Sequence, residues 1–187
     1  FDDGPDPVNT PRILDTLDQH GIKAIFFVIG KTAESFPSVL REIDARGHTI
    51  GNHSYSHRYL LPFYRVRSLL KDFNRSATVI EQAIGKRPLL IRPPFGVTSP
   101  RYYGMLLRKK FTSIGWSLRS LDTVASNRAD LIQRVTKKLR PGAGQILLLH
   151  DNRALTADAL PELIARITES GINIVTPAEA LTVPFYE

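Results

Sequence analysis

Short apolar runs alternate with longer segments of helical periodicity from one end of the chain to the other, and few folds accommodate that rhythm. Residues 24–29 and 145–149 are apolar almost throughout, as in strands buried on both faces. Shorter extended stretches are predicted at residues 48–51, 89–91, 111–116 and 172–175. Helices are predicted between them, at residues 8–20, 37–46, 66–84, 102–110, 129–139 and 157–170, with a closing turn at 177–181. In the longest of these, Leu69, Leu70, Phe73, Ala77, Ile80 and Ile84 share one face and Gly85 supplies the stop. Each strand but the last is followed by a helix before the next strand, which implies parallel strands joined by right-handed crossovers. The expected fold is α/β, a distorted (β/α) barrel of about seven parallel strands. A doubly wound open sheet fits the same rhythm, but no glycine fingerprint follows any strand as a dinucleotide fold requires.

The seventh strand would lie just ahead of Phe1, with Asp2 and Asp3 at its C-terminal end. The chain opens on Phe1-Asp2-Asp3 without a methionine, so residues 1–187 are expected to be one catalytic domain cut short at its N-terminus. The 187 residues suffice for one sizeable core. The absence of cysteine excludes disulfides, thiolate metal sites and cysteine nucleophiles. No apolar run approaches the roughly 18 residues of a membrane span. The net charge of +7 favours anionic partners, but the cations are scattered, and pairs such as Lys109–Lys110 and Lys137–Lys138 read as solvated helix faces rather than a nucleic-acid site.

In a (β/α) barrel, reacting groups sit at the C-terminal ends of the strands. Here polar residues fall at those ends in succession: Asp2 and Asp3, then His53 and His57, Arg92, Trp116 with Asp122 further on, and His150 with Asp151. Three of the five histidines are among them. His53 and His57, four apart, would lie on one face of a helical turn and could grip one metal ion, although such a spacing also arises by chance. Asp2-Asp3 ahead of Gly4-Pro5 reads as a turn, or as one carboxylate completing a His-His-Asp site beside a second acting as base. His150 is a buried structural histidine or a general acid. Arg92, if it points inward, would hold a carboxylate ionised. His20 and His48 adjoin glycines at helix ends and read as structural partners of the helix dipole.

Five segments, in order, resemble the motifs of polysaccharide deacetylases, the NodB-homology domain of carbohydrate esterase family 4. They are Phe1-Asp2-Asp3-Gly4-Pro5, His53-Ser54-Tyr55-Ser56-His57, Arg92-Pro93-Pro94-Phe95-Gly96, Trp116-Ser117-Leu118-Arg119-Ser120-Leu121-Asp122 and Leu147-Leu148-Leu149-His150-Asp151. The resemblance implies a divalent metal, usually Zn2+, held by Asp3, His53 and His57. It implies Asp2 as general base oriented by Arg92, His150 as general acid tuned by Asp122, and the Phe95 amide at the oxyanion. Phe95, Trp116, Leu148 and Arg119 would lie on the substrate side. The expected reaction is removal of acetyl groups, N-acetyl first, from a glycan such as peptidoglycan or a chitin-like polymer, outside the cytoplasm.

Two positions depart from the family pattern: Arg119 and Thr123 stand where aspartate and tryptophan are usual. Arg119 would either bind an anionic group or form a structural ion pair. Other acyl substrates, a non-catalytic carbohydrate-binding module and an iron(II) facial triad remain the competing readings. The oligomeric state is left open.

Overall fold

The computed structural model describes residues 1–108 and 110–187; Lys109, and with it half of the Lys109–Lys110 pair, lies outside them. Four parallel strands form one sheet in the order β1 (Ile25–Val28), β2 (Thr49–Asn52), β3 (Leu90–Ile91) and β4 (Thr112–Ser113). A parallel pair, β5 (Leu118–Arg119) and β6 (Leu147–Leu148), forms a second sheet. Asp2 joins the two, pairing in parallel with Phe27 on one side and with His150 on the other. The end of the strand expected ahead of β1 therefore lies between β1 and β6, as a barrel requires. Beneath Phe1 an apolar slot of about 560 Å³ opens between the same strands, lined by Ile25, Leu147, Leu163 and Ile167 among others.

The helices are α1 (Asn9–Gln19), α2 (Gly30–Ser35), α3 (Pro37–Ala45), α4 (Val66–Ile84), α5 (Pro100–Leu106), α6 (Arg128–Thr136), α7 (Ala154–Glu169) and α8 (Pro177–Ala180). Strand β1 explains how the core divides. Successive side chains point to opposite faces, so Phe26 and Val28 pack outward among α1, α3, α6 and α7, while Phe27 points inward to Leu90 and Ile114. Gly51 opposite leaves room for the Phe27 ring, which a Cβ at that position would overlap. Helix α4 matches its predicted bounds, with Leu69, Phe73, Ala77 and Ile80 buried and Gly85 in the left-handed region at φ 72°. No helix among the described residues is long and apolar enough to cross a membrane.

Four expectations need correction. Residues 172–175 form no strand: the stretch pairs with no strand among the described residues, and Ile174 and Val175 stay exposed. β-Branched composition suits a strand, but pairing and burial decide whether one forms. The extended stretch at 111–116 shortens to β4 and stops before Gly115, and the chain begins a separate strand, β5, that carries the approach to Asp122. Helix α2 was not anticipated, because its six residues are too short to display a periodicity. Finally, His48 is no partner of a helix dipole. It is buried, its Nδ1 accepts the Ala24 amide at 3.2 Å, and burial lowers its pKa to about 4, so it is a neutral acceptor. His20 does cap α1 and is exposed.

Candidate active site

The first carboxylates sit where the Asp2 strand ends. The Asp2 amide donates to Leu149 O and the Phe27 amide to Phe1 O, which pins the segment on both sides. Asp3 then leaves the strand at φ 75°, a left-handed conformation that aspartate tolerates better than most residues. The two carboxylates consequently meet different surroundings. Asp2 is 3% exposed and takes Arg92 Nη1 at 2.7 Å on Oδ1, whereas the Asp3 side chain keeps about 20% of its surface.

Arg92 points inward. Its Nε donates to Ile114 O and its Nη2 to Gly115 O, and the guanidinium lies over the Phe27 ring at 4.1 Å. Each of its three nitrogens thus donates one hydrogen bond and one face is covered by a ring, which holds the charge in place. Burial pushes the Asp2 carboxyl up, but His53 and Arg92 outweigh it and hold the group below the usual carboxylate range. Burial dominates at Asp3, whose pKa is raised despite His53 and His150.

His53 follows β2, its amide bound to Val28 O. Its Nδ1 faces Arg92 O at 2.9 Å. A carbonyl only accepts, so Nδ1 carries the proton and Nε2 turns a bare lone pair to the cleft. His57 arrives by a route other than the helical turn expected from its spacing. Residues 53–58 form an irregular loop, with Ser54 at φ 68° and His57 at φ 45°. Buried Asn52 accepts the Ser54 amide and donates to Phe73 O, Ser54 Oγ accepts the His57 amide, and Asp72 on α4 accepts the Tyr55 and Ser56 amides. A helix would consume these amides internally; here side chains take them, and the chain folds back tightly enough to bring the imidazole rings within 4.9 Å.

Asp3 Oδ1 is 3.5 Å from His53 Nε2 and 3.2 Å from His57 Nε2, and the three groups each offer a ligand atom within 4.8 Å of the others. Burial lowers the pKa of both histidines, which favours the neutral, metal-ligating form. A carboxylate and two neutral imidazoles, one fixed in its tautomer from behind, fit a divalent ion that retains open positions for other ligands.

His150 faces this cluster from β6, its Nε2 4.0 Å from Asp3 Oδ2. Asp122, reached by way of β5, takes the His150 ring at 2.8 Å on Oδ1, and the His150 amide and the Thr156 hydroxyl on Oδ2. Burial alone would lower the His150 pKa, but the hydrogen bond and charge of Asp122, with Asp3 and Asp2 beyond, raise it. Leu148 is buried, two residues earlier on the same strand face. Phe95 adopts φ 58° and packs its half-exposed ring against His57, tilted by 49° at a centroid distance of 4.6 Å. Trp116 packs over Gly96, where a Cβ would overlap its ring. Arg119 is exposed, and among the described residues it forms no salt bridge.

Sequence reasoning assigned no role to Asn52, Asp72 or Thr156, which hold the loop and Asp122. Each looks like an ordinary polar residue in its own segment, and only the tertiary contact distinguishes it. Asp151 stood in the fifth motif without a role; it accepts the Thr10 hydroxyl at 2.6 Å and fills the space above Gly4.

Residues 1–112 match the family described as polysaccharide deacetylase. The chain belongs to this family. The peptidoglycan-N-acetylmuramic acid deacetylase PdaC of Bacillus subtilis is 34% identical over 179 residues, covering 96% of this chain and 37% of PdaC. A peptidoglycan-N-acetylglucosamine deacetylase of Bacillus cereus is 32% identical over 184 residues, 94% of this chain and 64% of that protein. The chain thus spans about a third to two thirds of these relatives. The solved structure of PdaC superposes with a TM-score of 0.87 at 34% identity, covering 96% of this chain and 86% of that one. The Bc1960 peptidoglycan N-acetylglucosamine deacetylase, in complex with an N-hydroxybenzamide compound, gives 0.91 at 29% identity over 100% of this chain and 88% of that one. Polysaccharide deacetylase neighbours of this quality share the barrel described above.

Proposed function

We propose that this chain is a metal-dependent hydrolase that removes N-acetyl groups from a glycan of the peptidoglycan type, acting outside the cytoplasm. One observation carries the reading: a ligand set of Asp3, His53 and His57 lies between Asp2, whose carboxyl His53 and Arg92 hold below the usual range, and His150, whose pKa its carboxylate neighbours raise. Groups whose surroundings push their pKa values apart are those suited to separate acid and base work. The names of PdaC and its Bacillus cereus relative support an N-acetylated sugar of peptidoglycan as substrate.

Asp3, His53 and His57 would hold the divalent ion, with zinc the best fit to this ligand set. When bound, such an ion polarises a carbonyl and makes water more acidic. Asp2 takes the proton of the attacking water, and Arg92 keeps that carboxylate ionised and aimed. The Phe95 amide donates to the developing oxyanion from a left-handed turn beside His57. Leu148 and Trp116, assigned to the substrate side, would offer apolar surface to the acetyl methyl. His150 protonates the departing amine, since an amide anion is too basic to leave, and Asp122 stabilises the imidazolium until it does. Acetate and a free amino sugar are the products. Arg119, exposed and without a salt bridge among the described residues, is available to an anionic group on the glycan.

The test is acetate release from N-acetylglucosamine oligomers and from peptidoglycan, before and after chelation and with zinc restored. Release that chelation abolishes and zinc restores supports the reading. A metal-loaded protein that releases no acetate from either substrate refutes it.

A further inference from the structure

The positive charge of the chain is not spread evenly. Residues 58–110 hold twelve of the 25 basic residues and two of the 18 acidic ones, so the remainder is net acidic. Within this segment the 3₁₀ turn Leu61–Phe63, α4 and α5 pack on one another around a separate core of Leu61, Leu69, Phe73 and Tyr102. On the other helices, cations meet acids: Arg12 pairs with Asp158, and Arg46 with Asp15, Asp18 and Glu42. Here Arg58, Arg65, Arg67, Lys71 and Arg108 are exposed, and none forms a salt bridge among the described residues. Apolar side chains stand with them. Leu107 is 89% exposed, and Leu60, Phe63 and Tyr103 are each more than half exposed. Tyr103 and Leu107 lie one turn apart on α5, the Leu107 amide bonded to Tyr103 O. The turn is tied to that helix, because Ser99 Oγ donates to Pro62 O and Arg101 to Phe63 O.

We propose that this side of the chain docks on an anionic phospholipid bilayer, with Leu60, Phe63, Tyr103 and Leu107 entering the headgroup region and the unpaired cations lying over the phosphates. The charge sets the sign of the partner, and the apolar side chains set its kind. A soluble polyanion would engage the cations and leave Leu107 and Phe63 in water. A bilayer surface takes both at once: apolar and aromatic groups enter the boundary of the acyl chains, and anionic headgroups attract each nearby Lys or Arg. The long arginine and lysine stems can lie along the apolar side chains while their charged ends stay at the phosphates. Such docking needs no spanning helix. Leu60 follows the ligand His57 by three residues, so the docked side adjoins the metal loop and would hold the cleft beside glycan at the membrane surface.

The experiment is flotation of the 187-residue chain with vesicles of phosphatidylcholine alone, and of phosphatidylcholine with about one third phosphatidylglycerol, in about 0.1 M salt. The chain binds the anionic vesicles and not the neutral ones. Each cation near an anionic surface contributes about fivefold to partition, so the double variant Arg65→Gln, Arg67→Gln weakens binding roughly twentyfold. Leu107→Ser keeps every charge and weakens it roughly five- to tenfold, through lost apolar burial. Both variants melt close to the parent, since the altered side chains lie in water. The readout needs no turnover, so its outcome is separate from that of the deacetylase reading. Absence of vesicle binding, equal binding to neutral and anionic vesicles, or binding that either variant leaves unchanged overturns the proposal. Binding to soluble polyphosphate without binding to vesicles also overturns it, and makes this side a polyanion site instead.

Discussion

Asp122→Asn changes one atom and tests how His150 is tuned. Three donors converge on Asp122: the His150 ring at 2.8 Å, the His150 amide at 2.7 Å and the Thr156 hydroxyl at 2.8 Å. Asparagine keeps the shape but loses the charge. The imidazolium then exchanges a charge-assisted bond for a neutral one, while the neutral imidazole loses little, and hydrogen bonds to charged groups contribute about 1.5–3 kcal/mol. At 1.36 kcal/mol per unit, the His150 pKa falls by about one to two units. The direction follows from Asp122 opposing burial at this histidine. A general acid works only while protonated, so the basic limb of kcat/KM moves to lower pH by the same amount, and activity on the parent's basic limb drops by up to about ten- to a hundredfold. The assay is the pH profile of acetate release alongside an NMR titration of the His150 ring. A basic limb and a ring titration that both stay within about 0.3 unit of the parent would refute the reasoning, because Asp122 would then be structural.

His57→Ala removes a ligand: bound zinc after dialysis falls from about one per chain to a small fraction, and the thermal stabilisation by saturating zinc, about 2.7 kcal/mol at one hundred times Kd, disappears. Retained zinc in that variant would exclude the Asp3–His53–His57 site. Asp2→Asn is expected to keep the metal while kcat falls roughly 10²–10⁴-fold, and a fully active variant would rule out Asp2 as base. Gly96→Ala sets a Cβ against the Trp116 ring at φ 70°; a loss of about 1–3 kcal/mol in urea unfolding is expected, and no loss would mean that Trp116 swings aside freely. His48 gives stability a pH dependence: its folded pKa of about 4 lies below the ordinary 6.5, so its contribution is complete above about pH 6.5 and is lost as pH falls toward 4. Discounted for residual solvent, it amounts to about 2 kcal/mol, and His48→Gln should flatten that part of the urea-midpoint profile; an unaltered slope would remove His48 as its source.

The strand–helix rhythm was readable because buried strands and amphipathic helices impose different periods on the same composition. Helix α4 shows this best, with a face that repeats over its whole length and a glycine where a left-handed cap is needed. The stretch at 172–175 was misread for the complementary reason. Its residues favour an extended chain, but no neighbouring strand pairs with it, and pairing is a long-range property. The site residues were legible through their position after strands and their resemblance to ordered motifs. Their supports were not. Asn52 falls one residue past the strand expected at 48–51, with nothing to mark it as the support of a loop, and Asp72 looked like the polar face of α4 until the Tyr55 amide came down onto it.

The histidine pair carries this distinction further. A helical turn would also have brought His53 and His57 to one face, so the inference of a shared metal survives although its geometric premise does not. The irregular loop accomplishes more than a helix could. His53 Nδ1 donates to Arg92 O from behind, and Arg92 in turn holds Asp2, so ligand, anchor and base form one chain of contacts. In the same way the left-handed backbone at Asp3 turns its carboxylate to the histidines while Asp2 stays against the guanidinium. On a regular strand, adjacent side chains would point to opposite faces of the sheet, and only one could reach the cleft. Strain at a single residue is what allows two neighbouring carboxylates to serve one site in different protonation environments.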